Sequence, residues 1–281
     1  MLASALLFSG MSASVKLAAE SLPNHLVVFI RNLLGLLFLL PLLPRLGHRG
    51  LRTSAFGEHL IRGLAGLAAM YCFFYTLAHM RLADAVLLNY SLPLFVPFIE
   101  RAWLGEPVPP RLWRGILLGF LGLLFILKPG LGLFQPVALV GLLAAVLAAL
   151  AQVGVRNLTS TEPTTRIVFY FTLISTVVSS VPAALDWHTP DPKVWGALLA
   201  LGVFAIVAQL CLTRAYAHAP AAQVGPFIYA AVVFAAILDW LIWQRLPDGL
   251  FVAGAVLVIA AGILTLRLRP AHPEMAVPEA S

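Results

Sequence analysis

The stretch Cys72-Phe-Phe-Tyr-Thr-Leu-Ala78-His79 returns 139 positions later as Cys211-Leu-Thr-Arg-Ala-Tyr-Ala217-His218. The correspondence continues in the same register. Ala83, Tyr90, Phe95, Gly115 and Lys128 meet Ala222, Tyr229, Phe234, Gly254 and Arg267, and Glu100 meets Asp239. The echo runs through nearly continuous apolar sequence, so it predicts two related halves of a membrane protein. A duplication of this kind puts a binding site between the halves.

Composition supports that reading. Hydrophobic residues make up 61% of the 281-residue chain and charged residues 11%, against roughly 45–50% and about 25% for a soluble domain. No soluble core of this length hides so much apolar surface, so lipid must cover it. The net charge is +6, but the 18 Lys and Arg are scattered over many loops. No basic face and no stacking aromatic platform forms, which argues against a nucleic-acid partner. The two cysteines each sit inside an apolar run, which suggests neither a disulfide framework nor a metal cage. The first apolar run lacks a basic n-region, and Lys16 and Glu20 stand where a signal peptide would be cleaved. It is read as a retained first helix, leaving no room for a further N-terminal domain.

A helix needs about 20 apolar residues to span the hydrocarbon. Segments of that type run near 2–19, 26–43, 60–79, 83–103, 113–128, 137–158, 167–185, 194–217, 221–243 and 251–266. Breaks such as Lys128-Pro-Gly130 and Pro107-Val-Pro-Pro110 separate them. With both termini in the cytoplasm, each Lys or Arg is assigned to its nearest helix end. The inner side then collects twelve, including Arg45, Arg49, Arg52 and Arg62, and the outer side six, including Lys16, Arg31, Arg81 and Arg245. That excess favours this orientation. An odd number of crossings per copy reverses direction, so the expected fold is all-α: ten transmembrane helices as two inverted five-helix repeats. The expected units are 1–130, 131–268 and a disordered cytoplasmic tail, 269–281.

Several segments resemble the drug/metabolite transporter superfamily, in particular its ten-helix EamA-type branch. Trp103-Leu-Gly-Glu-Pro107, Gly115-Ile-Leu-Leu-Gly119 and Ile126-Leu-Lys-Pro129 are similar to the end of that family's first repeat. Gly254-Ala-Val-Leu-Val-Ile-Ala-Ala-Gly262 resembles the matching helix of the second, and Phe29-Ile-Arg-Asn32 also fits. Arg245 departs from the pattern, standing where a second acidic residue like Glu106 is often found. The resemblance covers essentially the whole chain. It implies a carrier of small metabolites in the bacterial inner membrane, with amino acids, metal-chelating opines, riboflavin and S-adenosylmethionine among the family's cargoes.

Each charge inside the bilayer costs about 3 kcal/mol on insertion scales, so each needs a reason. Lys16 and Arg156 occupy equivalent positions, with Ser12 and Gln152 one turn earlier. They either bind a substrate carboxylate or snorkel to opposite interfaces. Arg31 lies well inside its helix and either pairs with Glu20 or faces the cavity, the pairing being preferred. Arg214 is a candidate for an anionic group, its repeat partner being Tyr75. Tyr71 and Tyr75, one turn apart, are candidates for the cavity wall, as are Asn89, Tyr90, Gln209 and Tyr229, which can equally join helices. Pro93 and Pro97, and Pro226 in the counterpart helix, are expected hinges. Asp239 is the candidate for a coupling proton.

A membrane enzyme is the rival class. His79-Met-Arg-Leu-Ala-Asp84 has the His-x4-Asp spacing of glycerolipid acyltransferases, yet the second copy keeps His218 and replaces Asp84 by Gln223. A receptor would need a larger extramembrane part. No metal site and no cofactor is expected. The expected function is export of a small carboxylate-bearing metabolite, an amino acid or amino-acid-derived metallophore, by alternating access. The alternative is uptake of a nucleoside-like or vitamin-type metabolite such as S-adenosylmethionine or riboflavin. The partners are that metabolite and the lipid bilayer, with a homodimer left open.

Overall fold

The computed structural model describes residues 2–41, 51–105, 110, 113–127, 135–158, 161–218 and 229–268. Among them the fold is all-helical: α1 (Leu2–Ala18), α2 (Asn24–Leu39), α3 (Phe56–His79), α4 (Leu82–Asn89), α5 (Val96–Leu104), α6 (Trp113–Leu127), α7 (Val137–Leu158), α8 (Thr164–Leu185), α9 (Trp195–His218), α10 (Ala230–Trp243) and α11 (Gly249–Leu268). Helices follow from the solvent: with no water to satisfy the backbone, each N–H must bond within its own segment. Phe56–His79, Val137–Val155 and Thr165–Leu185 are long and apolar enough to cross a membrane; the other apolar stretches with described side chains, such as Trp195–Gln209 and Gly249–Leu264, are shorter.

The fourth apolar segment is discontinuous. Pro93 cannot donate to residue 89, nor Pro97 to residue 93, and in a continuous helix each ring would crowd that residue's carbonyl. The chain therefore leaves α4 at Asn89, makes a single 3-10 turn over Leu92–Leu94, and restarts as α5 with Pro97 in its first turn. The break stays satisfied: Leu94 N–H donates to the Ser91 carbonyl (2.9 Å) and Phe95 N–H to that of Leu92 (3.0 Å). The corresponding Pro226 lies outside the described residues.

The main helix pairs are α3 with α7, α6 with α11, α1 with α9, α2 with α8, and α1 with α10. Apolar association alone does not hold helices together in lipid, so close packing and hydrogen bonds between them carry the load. Ser4 Oγ donates to the Ala208 carbonyl and Ser9 Oγ to that of Ala231, both at 2.9 Å, tying α1 to α9 and α10. Val27, Phe74, Leu77, Leu87 and Leu88 sit in one continuous buried cluster. Leu117, Val177, Val181 and Val256 stay exposed on the outside, an apolar surface suited to a membrane.

Polar contacts gather at the two ends. Glu20, His25, Arg81, Asp186, Asp239, Trp243 and Asp248 meet at one. Thr53, Glu58, His59, Asn157, Glu162 and Arg166 meet at the other. At that second end Glu162 joins the α7–α8 turn to the start of α3. Burial pushes its carboxyl up, but bonds from the Thr53 hydroxyl and Arg166, with the Arg166 and His59 charges, hold it below its ordinary value.

Candidate functional site

Two cavities separate the expected site residues. The larger, about 350 Å³, opens at the Lys16 end and is lined by Lys16, Glu20, His79, Arg81, Trp243 and Arg245, among others. Lys16 is buried there. Its ammonium donates to the carbonyls of Leu77 (2.9 Å) and Met80, and lies 5.5 Å from the Trp243 ring centre. Those carbonyls belong to the unsatisfied C-terminus of α3, where a cation is favoured. Trp243 in turn donates to Glu20 at 3.3 Å.

Arg81 crosses the same end. It lies 3.9 Å from Asp84, 3.8 Å from Asp239 and 3.6 Å from Asp248, and donates to the Leu246 carbonyl at 2.6 Å. One guanidinium thus joins the start of α4 to the end of α10 and the start of α11. Asp239 is fully buried, its Oδ2 also receiving the Ala83 N–H at 3.4 Å.

The smaller cavity, about 50 Å³, lies among α2, α3, α8 and α9 and is lined by Arg31, Gly35, Arg62, Phe171, Thr172 and Gln209, among others. The Arg62 guanidinium stacks on the Phe171 ring at 3.8 Å, and that of Arg31 stands 6.0 Å from the same ring. Gly66 makes room: a Cβ there would come within 2.9 Å of Phe171. Arg31 donates to Asn32 Oδ1 at 3.0 Å, while Asn32 Nδ2 faces Met70 Sδ at 3.6 Å. Arg31 Nε and Arg62 Nε and Nη1 are buried without a hydrogen-bond partner. Stacking on an aromatic face is worth about 2 kcal/mol or more when desolvated, against several kcal/mol of effective desolvation penalty for each buried ion.

Among the described residues no carboxylate lies within ion-pair distance of either guanidinium. The expected Arg31–Glu20 pairing is not formed: Arg31 turns to Asn32, and Glu20 is bonded to Trp243. Arg31, counted by position to one end of the molecule, shares a cavity with Arg62, counted to the other.

The remaining candidates are spread through the bundle. Gln209 joins the arginine cavity. Ser12 bonds within its own helix to the Phe8 carbonyl (3.0 Å), and Gln152 is exposed. The Tyr71 and Tyr229 hydroxyls are buried and unpartnered. Tyr229 lies so close to the α11 backbone that a Cβ at Gly262 would coincide with its hydroxyl. Tyr75 stacks on His79 (4.1 Å), whose Nδ1 faces the Tyr75 carbonyl. Asn89 and Tyr90 are half-buried at the end of α4, Tyr90 against the main core. Pro93 falls in the 3-10 turn. The side chains of Arg156 and Arg214 lie outside the described residues.

Apolar helices of membrane-crossing length packed around two buried guanidiniums that have no carboxylate beside them among the described residues fit a multi-pass membrane carrier of small molecules. The chain belongs to the EamA-like transporter family, whose pattern it matches over residues 1–128 and 135–267. It is 39% identical over 264 residues to a pseudopaline exporter of Pseudomonas aeruginosa, covering 93% of each chain. It is 31% identical to a riboflavin transporter of Brucella anthropi, over 88% of this chain and 89% of that one. Against an S-adenosylmethionine uptake transporter of Rickettsia bellii the figure is 29%, over 85% and 82%. A solved structure at 22% identity shares the fold, with a TM-score of 0.64 over 93% of both chains.

Sequence reasoning missed Arg62, which it assigned to the inner helix end because the apolar run begins at residue 60. The helix starts at Phe56, and that places Arg62 in its second turn. The available signal was the pair Arg31-Asn32, a buried cation beside an amide able to hold it.

Proposed function

We propose that this protein is a secondary carrier of the bacterial inner membrane that exports a small carboxylate-bearing metabolite by alternating access. An amino-acid-derived metallophore is the foremost cargo. The observation that carries the reading is near full-length similarity to a pseudopaline exporter at 39% identity. The uncompensated Arg31 and Arg62 agree with it, since they suit an anionic group. The second reading, uptake of a vitamin or nucleoside-like metabolite, draws on the riboflavin and S-adenosylmethionine relatives.

In this reading ten spans form two inverted five-helix repeats, 1–130 and 131–268, with both termini and the tail 269–281 cytoplasmic. The packing supports it. With α1, α2, α3, α4–α5 and α6 set equivalent to α7, α8, α9, α10 and α11, each main pair has its mate. The pair α1 with α9 answers α7 with α3, α1 with α10 answers α7 with α4, and α3 with α8 answers α9 with α2. The pairs α2–α8, α6–α11 and α4–α10 map onto themselves, as a two-fold axis requires.

The Arg81 cluster then closes the outer mouth, and the arginine cavity lies toward the cytoplasm. Pro93 and Pro97, with Pro226 opposite, are the hinges, and Asp239 is the coupling group that release of Arg81 would free to take a proton. Tyr71 and Tyr229 are further contacts along the path, because a buried hydroxyl without a partner is one a ligand can satisfy. His79 and Asp84 serve the mouth rather than acyl transfer.

The test is comparative metabolomics of medium and cells from deletion and wild-type strains. Export predicts a carboxylate-bearing compound retained in deletion cells and depleted from their medium. Equal release by both strains would sink it, and a metabolite missing from deletion cells would favour uptake.

A further inference from the structure

We infer that Arg31, Arg62 and Phe171 form a carboxylate-binding subsite in which two guanidiniums close on one anionic head group. The assignment deepens the carrier reading and rests on it for the identity of the cargo, though not for the anion site itself. Two like charges share a low-dielectric cavity, and the described residues place no carboxylate beside them. Their Nε atoms and Arg62 Nη1 have no acceptor. Such an arrangement is costly unless a counter-charge arrives from outside.

The cavity is built for one. Phe171 fixes the Arg62 plane by stacking at 3.8 Å, and the Asn32 amide, held in turn by Met70, fixes Arg31. Gly35 adds no side chain to the wall. A volume of about 50 Å³ accommodates a carboxylate or a few waters, not a whole metabolite. The planar fork of a guanidinium matches a carboxylate edge. The rest of the cargo must therefore extend beyond this cavity, and the subsite selects for a free carboxylate at one end.

The test uses the purified full chain in phosphatidylcholine nanodiscs, titrated with iminodiacetate and, as an uncharged-head control, its dimethyl ester. Iminodiacetate should raise the thermal midpoint saturably and the ester should not. Arg31→Gln and Arg62→Met should each weaken the response about tenfold or more, while Arg101→Gln, at an exposed position, keeps it. Without ligand, Arg62→Met should raise the midpoint, because it removes an uncompensated charge. An arginine with a purely structural role would lower it. If Arg31→Gln does not fold, Arg62→Met and Arg31→Lys carry the test.

No carboxylate response in the wild type would overturn the subsite, as would an unchanged response in both variants. So would stabilisation by phosphatidylglycerol that iminodiacetate cannot displace, which assigns the pair to a lipid head group. Equal metabolite release by deletion and wild-type cells, beside an intact arginine-dependent response, would remove export and leave the subsite standing. The converse result removes the subsite alone.

Discussion

Arg81 and Arg62 are both drawn into the helix bundle, and they have opposite surroundings. Arg81 stands within 4 Å of three carboxylates, those of Asp84, Asp239 and Asp248. Arg62 meets an aromatic face and a second guanidinium nearby. A cation with its counter-charges in place is part of the scaffold, since removing it leaves the buried Asp239 facing Asp84 and Asp248 uncompensated. A cation with none among the described residues is costly to bury, and the proposed subsite relieves that cost when an anion enters. In the proposed carrier the first closes a mouth and the second waits for cargo.

The sharpest way to break this contrast is Arg81→Gln. It leaves Asp239 buried without its cation, and breaking such a pair costs about 3–5 kcal/mol. The stability of the purified protein to denaturant should fall accordingly, and an unchanged midpoint would remove Arg81 from the scaffold. Asp239→Asn should cost less, about 1–3 kcal/mol, because Arg81 keeps Asp84 and Asp248. The double variant should recover part of the Arg81→Gln loss, as coupled neighbours do. Arg62→Met should move stability the other way, up by about 1 kcal/mol. If it falls instead, the two arginines do not differ as argued.

At the opposite end Glu162 supplies a milder test. Its carboxyl is held below its ordinary value, 4.5, by Thr53 and Arg166 against the effect of burial. A lowered native value means the stabilisation is complete above the ordinary carboxylate range and is lost as pH falls through the native one. The wild type should therefore lose stability on acidification below about pH 4.5. Glu162→Gln should remove part of that loss, and identical acid profiles would argue against it. The smallest effect is expected from Ser9→Ala, about 0.6 kcal/mol, from the bond that joins α1 to the Ala231 carbonyl.

The described helices were legible to within a few residues at most ends, and two of them almost to the residue. The run expected at 137–158 is α7, and that at 194–217 is α9 within one residue at each end. The break at Pro93 and Pro97 was legible as well, because proline acts through its own ring and the carbonyl beside it. The site was legible only in part. Lys16 was read as a ligand or a snorkelling cation; it lines the larger cavity, and its ammonium donates to carbonyls at the C-terminus of α3. Gln209 was singled out and does line the cavity, but its companion Arg62 was passed over.

What the sequence determined by itself is the class: apolar helices of a membrane transporter, with charges that must be accounted for. Apolar length and backbone satisfaction are local properties, set within one span and readable from it. Which cation finds a carboxylate depends on helices far apart in sequence. Residues 81 and 239 meet, whereas 31 and 20 do not. Only the tertiary structure decided that, because electrostatic compensation is fixed by distances between helices of a few ångströms and not by order along the chain.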